Sequence, residues 1–167
     1  MKLYEPARNR RDLAMQLVWF VLWLGVTGVA LYLEPSPFGH GTHQQLGFPP
    51  CPTVLIFDRP CPGCGMTTSW SALVHGQFLA SWRSHPMGPL SYGLFTGSAI
   101  LSLVGFLSVR RLVTESRLVN WGGMAFGLLF LAFGLIRTFA TVGYADQIER
   151  MYPRDLRPEF VRMKLGL

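Results

Sequence analysis

The chain has 167 residues, half of them apolar and 14% charged, against about 25% charged in an ordinary soluble domain. That balance argues against a water-soluble globule and bounds the chain to one small domain. The net charge of +6 does not point to nucleic acid, because the basic residues cluster near the ends of apolar segments and no basic stripe with interleaved aromatics lies in a polar segment.

Residues 1–12 form a basic leader carrying Lys2, Arg8, Arg10 and Arg11. Leu13–Leu33 then contains no Asp, Glu, Lys or Arg, and the same holds for Met87–Val109 and Leu118–Ile136. About 20 apolar residues in a helix cross a bilayer core of about 30 Å, so these three stretches are predicted as transmembrane helices. Gln16, the one strongly polar side chain of the first span, lies near enough to its end to reach headgroups. A basic leader before an apolar run is also the form of a secretory signal, and Gly28-Val29-Ala30 weakly resembles a cleavage site. The run exceeds the roughly 7–15 residues of a signal core, which favours an uncleaved helix.

Residues 34–60 are a loop rich in Pro and Gly, too dense in breakers for a helix to persist. Within it Thr53–Phe57 reads as a short extended run, and Asp58-Arg59-Pro60 turns the chain into Cys61-Pro62-Gly63-Cys64-Gly65-Met66-Thr67-Thr68. Residues 61–86 hold this motif and a helix from Cys64 to about Trp82. Its apolar arc is Met66, Trp70, Leu73, Val74 and Phe78, and its polar side is Cys64, Thr68, Ser71 and His75. Too short and polar to span, it is expected to lie in the interface or to dip in as a re-entrant element. His85-Pro86 is read as an interfacial turn before the second span, where Gly93 and Gly97 form a small-xxx-small pair suited to close packing. The short connection Arg110–Arg117 makes spans two and three an antiparallel hairpin. Residues 137–167 are a polar tail, in which Ile148, Met151, Leu156, Phe160 and Val161 suggest an interfacial segment interrupted by Pro153 and Pro158. The fold expected is an all-α membrane protein, with three transmembrane helices plus one interfacial or re-entrant amphipathic helix after the Cys motif.

Four basic residues precede the first span, and Arg110, Arg111 and Arg117 lie in the later turn, which favours a cytoplasmic N-terminus and a Cys loop outside the cytoplasm. The basic residues of the tail (Arg150, Arg154, Arg157, Arg162 and Lys164) dissent from this orientation.

Cys51, Cys61 and Cys64 are the three cysteines, and an odd count leaves at least one thiol for a metal, a partner or nothing. Four readings stay open. A structural disulfide would join Cys51 to a motif cysteine, or Cys61 to Cys64, and pin the loop to the helix cap. A metal such as zinc would take Cys51, Cys61 and Cys64, with His40 or His43 completing a tetrahedron, although the second knuckle of a zinc ribbon is absent. A redox dithiol would use Cys61 and Cys64, activated at a helix N-terminus and coupled to a quinone, with Cys51 as resolving thiol. Covalent attachment of a group is the fourth. About 16 Å of helix separates Cys64 from His75, so they cannot share an ion. His75 therefore reads first as a headgroup-level polar residue. Arg137 ends the third span, where it either snorkels or pairs with Asp58, Glu34 or a lipid phosphate near the Cys loop.

Cys51-Pro52, the motif from Cys61 to Thr67, Leu73-Val74-His75-Gly76, His85-Pro86 and Gly134-Leu135-Ile136-Arg137 together resemble an uncharacterised family of bacterial integral-membrane proteins, catalogued as a domain of unknown function. The resemblance runs from Pro50 to Thr138. Thr68 stands where an Arg commonly follows the Thr, His85 where Asn commonly precedes the Pro, and Thr138 where Asn commonly follows the Arg. A role of the usual Arg is therefore not expected here. The resemblance implies topology, residence in the bacterial cytoplasmic (inner) membrane and little chemistry.

The functional expectation is an accessory or partner-binding subunit rather than an enzyme. Its Cys turn would be a clamp, by disulfide or metal, and its partners the bilayer and another membrane protein or a second copy. The alternatives are a membrane thiol–disulfide oxidoreductase using Cys61 and Cys64, and a metal- or lipid-handling protein. Thr67, Thr68, His75 and Arg137 complete the candidate residues.

Overall fold

The computed structural model describes residues 4–7, 9–114 and 116–141. The tail segment from Tyr144, with its expected interfacial residues, lies outside them. Six helices and two short strands follow in the order β1 (Tyr4–Pro6), α1 (Arg10–Tyr32), a 3-10 turn (Thr42–Leu46), α2 (Pro52–Phe57), α3 (Met66–Val74), α4 (Phe78–Ser84), α5 (Met87–Leu107), β2 (Arg110–Leu112) and α6 (Arg117–Ala140). Three of them, α1, α5 and α6, are long and apolar enough to cross a membrane, as expected, and the protein is a small multi-pass membrane protein by that measure.

Two of the three spans, α1 and α6, begin at side-chain caps. The Asn9 side chain accepts the Asp12 amide at 2.9 Å and opens α1. Ser116 does the same for the Val119 amide at 3.3 Å and opens α6; each satisfies an amide that the first turn leaves without a partner. The N-terminal stretch and the α5–α6 connection meet as an antiparallel pair, with Tyr4, Glu5 and Pro6 opposite Leu112, Arg111 and Arg110. Arg111 and Glu5 form an ion pair of 2.9 Å there.

α1 and α5 pack along their length. Trp19 Nε1 donates to Ser98 Oγ and Trp23 Nε1 to Thr96 Oγ1, both at 3.0 Å, and Thr27 Oγ1 meets the Tyr92 hydroxyl at 3.0 Å. Trp19, Trp23 and Thr27 recur every four residues, so they lie on one stripe of α1. Two expectations about this pair are corrected. Gln16 does not reach headgroups: it is buried against Gly105, where an added Cβ would stand 3.0 Å from its amide. The Gly93/Gly97 pair meets no neighbour within 4 Å. The close contacts of α5 fall instead at Gly88, against Ser69, and at Gly105.

The segment between α1 and α5 differs from expectation in two places. Thr53–Phe57 is helical, not extended. Pro52 stands in the first turn of α2, where its fixed φ and missing amide suit a helix start. The single helix expected from Cys64 to Trp82 is two helices. Gly76 adopts φ +75°, the Gly76 amide bonds Leu73 O at 3.0 Å and the Gln77 amide bonds Ala72 O at 2.8 Å. That is a Schellman stop, which needs a left-handed residue that glycine supplies without cost. α4 then folds back on α3, joined by Ser69 Oγ to Ser81 O at 2.8 Å and Ser81 Oγ to Ser69 O at 2.7 Å.

Candidate functional site

The motif begins where α2 ends. Asp58 closes α2 at φ 50°, Cys61 to Gly65 make tight turns (Cys64 N–H to Cys61 O at 2.9 Å, Met66 N–H to Gly63 O at 3.1 Å), and Gly65 at φ +87° starts α3. Gly65 also admits close approach: an added Cβ would stand 2.5 Å from Ser84 O and 2.6 Å from Gly39 O.

These turns face a cleft of about 330 Å³ whose lining includes Cys51, Cys61, Cys64, His43, Thr67 and Thr68. The sequence-predicted candidates are thus gathered on one cavity, apart from His40, His75 and Arg137. Within it the sulfurs are not equivalent. Cys51 caps α2, with its Sγ 3.0 Å from Thr53 Oγ1, and the Cys61 thiol is near enough to perturb it. Burial pushes the Cys51 thiol up, yet the Thr53 hydroxyl, the Cys61 thiol and the amides of Thr53 and Val54 outweigh it and bring it below the ordinary value. Cys61 is held above the ordinary value by burial, by donating to Cys51 and by the charge of that neighbour. The two thiols titrate as a pair. Cys64 is buried at the start of α3. Of the pairings the sequence left open, Cys51 to a motif cysteine or Cys61 to Cys64, the two thiols that perturb one another here are Cys51 and Cys61.

Among the described residues no three of His, Cys, Asp and Glu converge as a metal-holding group. His43 and Cys64 nevertheless share the cleft with the Cys51–Cys61 pair. Thr68 is fully buried and bonds Thr42 Oγ1 at 2.9 Å, while Ser71 donates to the Leu33 carbonyl. The polar side of α3 therefore turns inward at Thr68 and Ser71. His75 sits exposed at the far end of α3, with Nδ1 2.8 Å from Ser71 O. His40 stands part-buried beside the site with a pKa of about 4, lowered by burial first and then by the charges of Arg137 and His43.

The residues that touch the motif from below are those of α6. Arg137 Nη1 donates to the Cys64 carbonyl at 2.8 Å, so it approaches the Cys loop as one reading expected, through a backbone oxygen rather than an acid. Gly134 is the notch that receives Pro62: an added Cβ would lie 2.5 Å from Pro62 Cβ and 2.8 Å from Pro62 Cα. Arg59 Nη1 donates to Phe139 O at 3.2 Å. His85, read as an interfacial turn residue, is fully buried. Its Nε2 lies 3.1 Å from Pro62 O, and its ring stacks on Phe130 at 5.7 Å and meets Phe133 edge-on at 5.4 Å. Burial lowers its pKa, opposed by the Pro62 carbonyl and assisted by Arg137. Sequence reasoning missed Pro62, His85 and Gly134 as one assembly. The spacing Gly134-x-x-Arg137 was its visible trace, since residues three apart share a helix face.

A family model described as "Protein of unknown function (DUF2752)" matches residues 51–98. No curated protein and no solved structure gives a match. The segment from Cys51 through the first half of α5 is therefore similar to an uncharacterised family, and that segment contains every cysteine.

Proposed function

We propose that the protein is a small membrane subunit whose Cys turn is a clamp that fastens α6 to the α1–α5 pair, and that Cys51 and Cys61 lock the clamp as a disulfide. The observation that carries this reading is the double hold of the motif on α6: Pro62 in the Gly134 notch and the Cys64 carbonyl on Arg137. The clamp orders a platform on which another membrane protein, or a second copy, assembles. The cysteine end faces away from the cytoplasm in the bacterial inner membrane. Arg10, Arg11, Arg110, Arg111 and Arg117 at the opposite end support this orientation through the excess of basic residues in cytoplasmic loops.

Lock formation balances as thiol–disulfide exchange. The Cys51 thiolate attacks an external disulfide, Cys61 displaces the mixed disulfide, and the external pair leaves as two thiols. Alkylation of the native protein before and after reduction, read by mass, tests it. The expected result is a Cys51–Cys61 bond with Cys64 reactive only after unfolding. Free alkylation of all three thiols in the native, unreduced protein would overturn the lock. Stoichiometric zinc lost on Cys51→Ser would replace the disulfide by a metal.

A second reading is favoured by the unequal thiols. A low-pKa Cys51 beside a high-pKa Cys61 is the division of labour of a thiol–disulfide oxidoreductase, with Cys51 and Cys61 rather than Cys61 and Cys64 as the pair. Its disulfide would turn over with a quinone or a thiol donor, whereas a lock would stay closed.

A further inference from the structure

The segment α3–α4 has its polarity inverted. Its buried side chains are Thr68, Ser69, Ser71, Ala72, Ser81 and Ser84. Its outward side is apolar, with Phe78 70%, Leu79 62% and Trp82 51% exposed. A water-facing helix pair buries its aromatics and exposes its serines; this one does the reverse, and its inner hydroxyls are satisfied by one another and by carbonyls. Burying polar groups only where they are bonded, while presenting hydrocarbon outward, is what an apolar surrounding demands.

The placement of the pair agrees. Ser71 bonds the carbonyl of Leu33 at the end of α1, and Ser69 lies against Gly88 in the first turn of α5. The pair therefore sits level with the ends of two membrane spans. Trp70 reaches further, donating to Ser91 Oγ at 3.1 Å and packing on Tyr92 and Phe95. Phe95 is about 12 Å along the helix from Met87 at 1.5 Å per residue. The polar groups on the outer side, His75 and Gln77 at the tip and Arg83 at the end of α4, are exposed, and Arg83 has the reach to extend to phosphates.

We infer that α3–α4 is a lipid-binding paddle lying in the plane of the bilayer, with Phe78, Leu79 and Trp82 inserted among acyl chains at the headgroup boundary and Arg83 directed to the phosphates. Of the apolar arc foreseen along residues 64–82, Phe78 belongs to the lipid contact and Trp70 does not. Trp70 is taken up by α5, and α4 supplies the contact. Ile56 and Phe57 of α2, 71% and 65% exposed, are a second apolar edge at the α6 end, where neighbouring Arg59 bonds Phe139 O.

The unmodified full-length protein in phosphatidylcholine vesicles, photolysed with a phosphatidylcholine that carries a diazirine in its acyl chain, tests the paddle by residue-level mass mapping. Adducts on Phe78, Leu79 and Trp82 are expected at yields comparable to those on Leu90 and Leu94 of α5, and at least about tenfold above Gln44 and Gln45 of the polar loop. Adducts confined to α1, α5 and α6, with residues 78–82 at the level of Gln44 and Gln45, would overturn it. That outcome would leave the face to water or to a second protein chain.

Discussion

The α1–α5 pairing and the docking of α6 are built by opposite means. α1 and α5 meet side chain to side chain over two helical turns, through Trp19, Trp23 and Thr27 and their hydroxyl partners. α6 is just as apolar, but along its length it has no comparable approach to either helix among the described residues. Gly122, Gly123 and Gly127 meet nothing within 4 Å, and an open apolar cleft lined by Pro89, Leu90, Gly93, Leu94 and Phe126 separates α6 from α5. Its hold is concentrated at one end, on Pro62, the Cys64 carbonyl, Arg59 and His85. Lipid tails are as apolar as leucine, so hydrocarbon alone gives helices no preference for each other over lipid. Helices that carry their own polar contacts pair directly. A helix without them depends on something that reaches it, and here that is the motif.

The largest expected effect breaks the second pairing alone. Gly134→Leu forces Pro62 out of its notch and costs about 3 kcal/mol by overpacking. Gly127→Leu, which points into open space, costs nothing measurable. Thermal unfolding of the two variants in the same detergent checks the contrast. Arg137→Ala comes next, at about 2–3 kcal/mol, because it removes a charge-assisted hydrogen bond to the Cys64 carbonyl. Arg137→Lys recovers part of this, which sharpens the claim that a directed donor matters and not charge alone. Under the proposed disulfide lock, Cys51→Ser costs about 2 kcal/mol, the scale for a short loop closed by a disulfide. Its effect vanishes when wild type and variant are compared in reductant.

The smallest effect is pH-dependent. Folding holds His40 near 4, mainly by burial, against an ordinary value of 6.5. Below 6.5 the unfolded chain takes up a proton that the folded chain refuses, so stability is full above about pH 7 and falls as pH drops toward 4. The loss is about 1–2 kcal/mol by pH 5. Denaturation monitored from pH 7 to 5 should show it, and His40→Gln should flatten it.

The spans were legible because three uncharged runs of membrane length admit little else, and the clustering of the cysteines was legible from their spacing. What was not legible is tertiary. Periodicity placed Thr68 and Ser71 on a polar side without showing what that side meets. Near a bilayer such hydroxyls turn inward, Thr68 to Thr42 and Ser71 to the Leu33 carbonyl. Gly76 looked tolerable inside a helix until its left-handed conformation ended one. The Cys-x-x-Cys spacing drew attention to Cys61 and Cys64, which are near in sequence. Cys51 reaches Cys61 only because Pro52 starts a helix that the β-prone side chains of Val54 and Ile56 had concealed. His85 looked like a turn residue because Pro86 follows it; nothing local announced that Phe130 and Phe133, far along the chain, would enclose its ring.

The central claim is that the motif holds α6 in place. Ketone-bearing residues introduced at Tyr32 and Phe139, both well exposed (81% and 70%), carry spin labels without touching the cysteines, and pulsed dipolar spectroscopy in lipid reads the distance between α1 and α6. A single narrow distribution is expected in the parent and in Gly127→Leu, and a broad, shifted one in Gly134→Leu. A distribution that stays narrow and unmoved in Gly134→Leu would contradict the clamp.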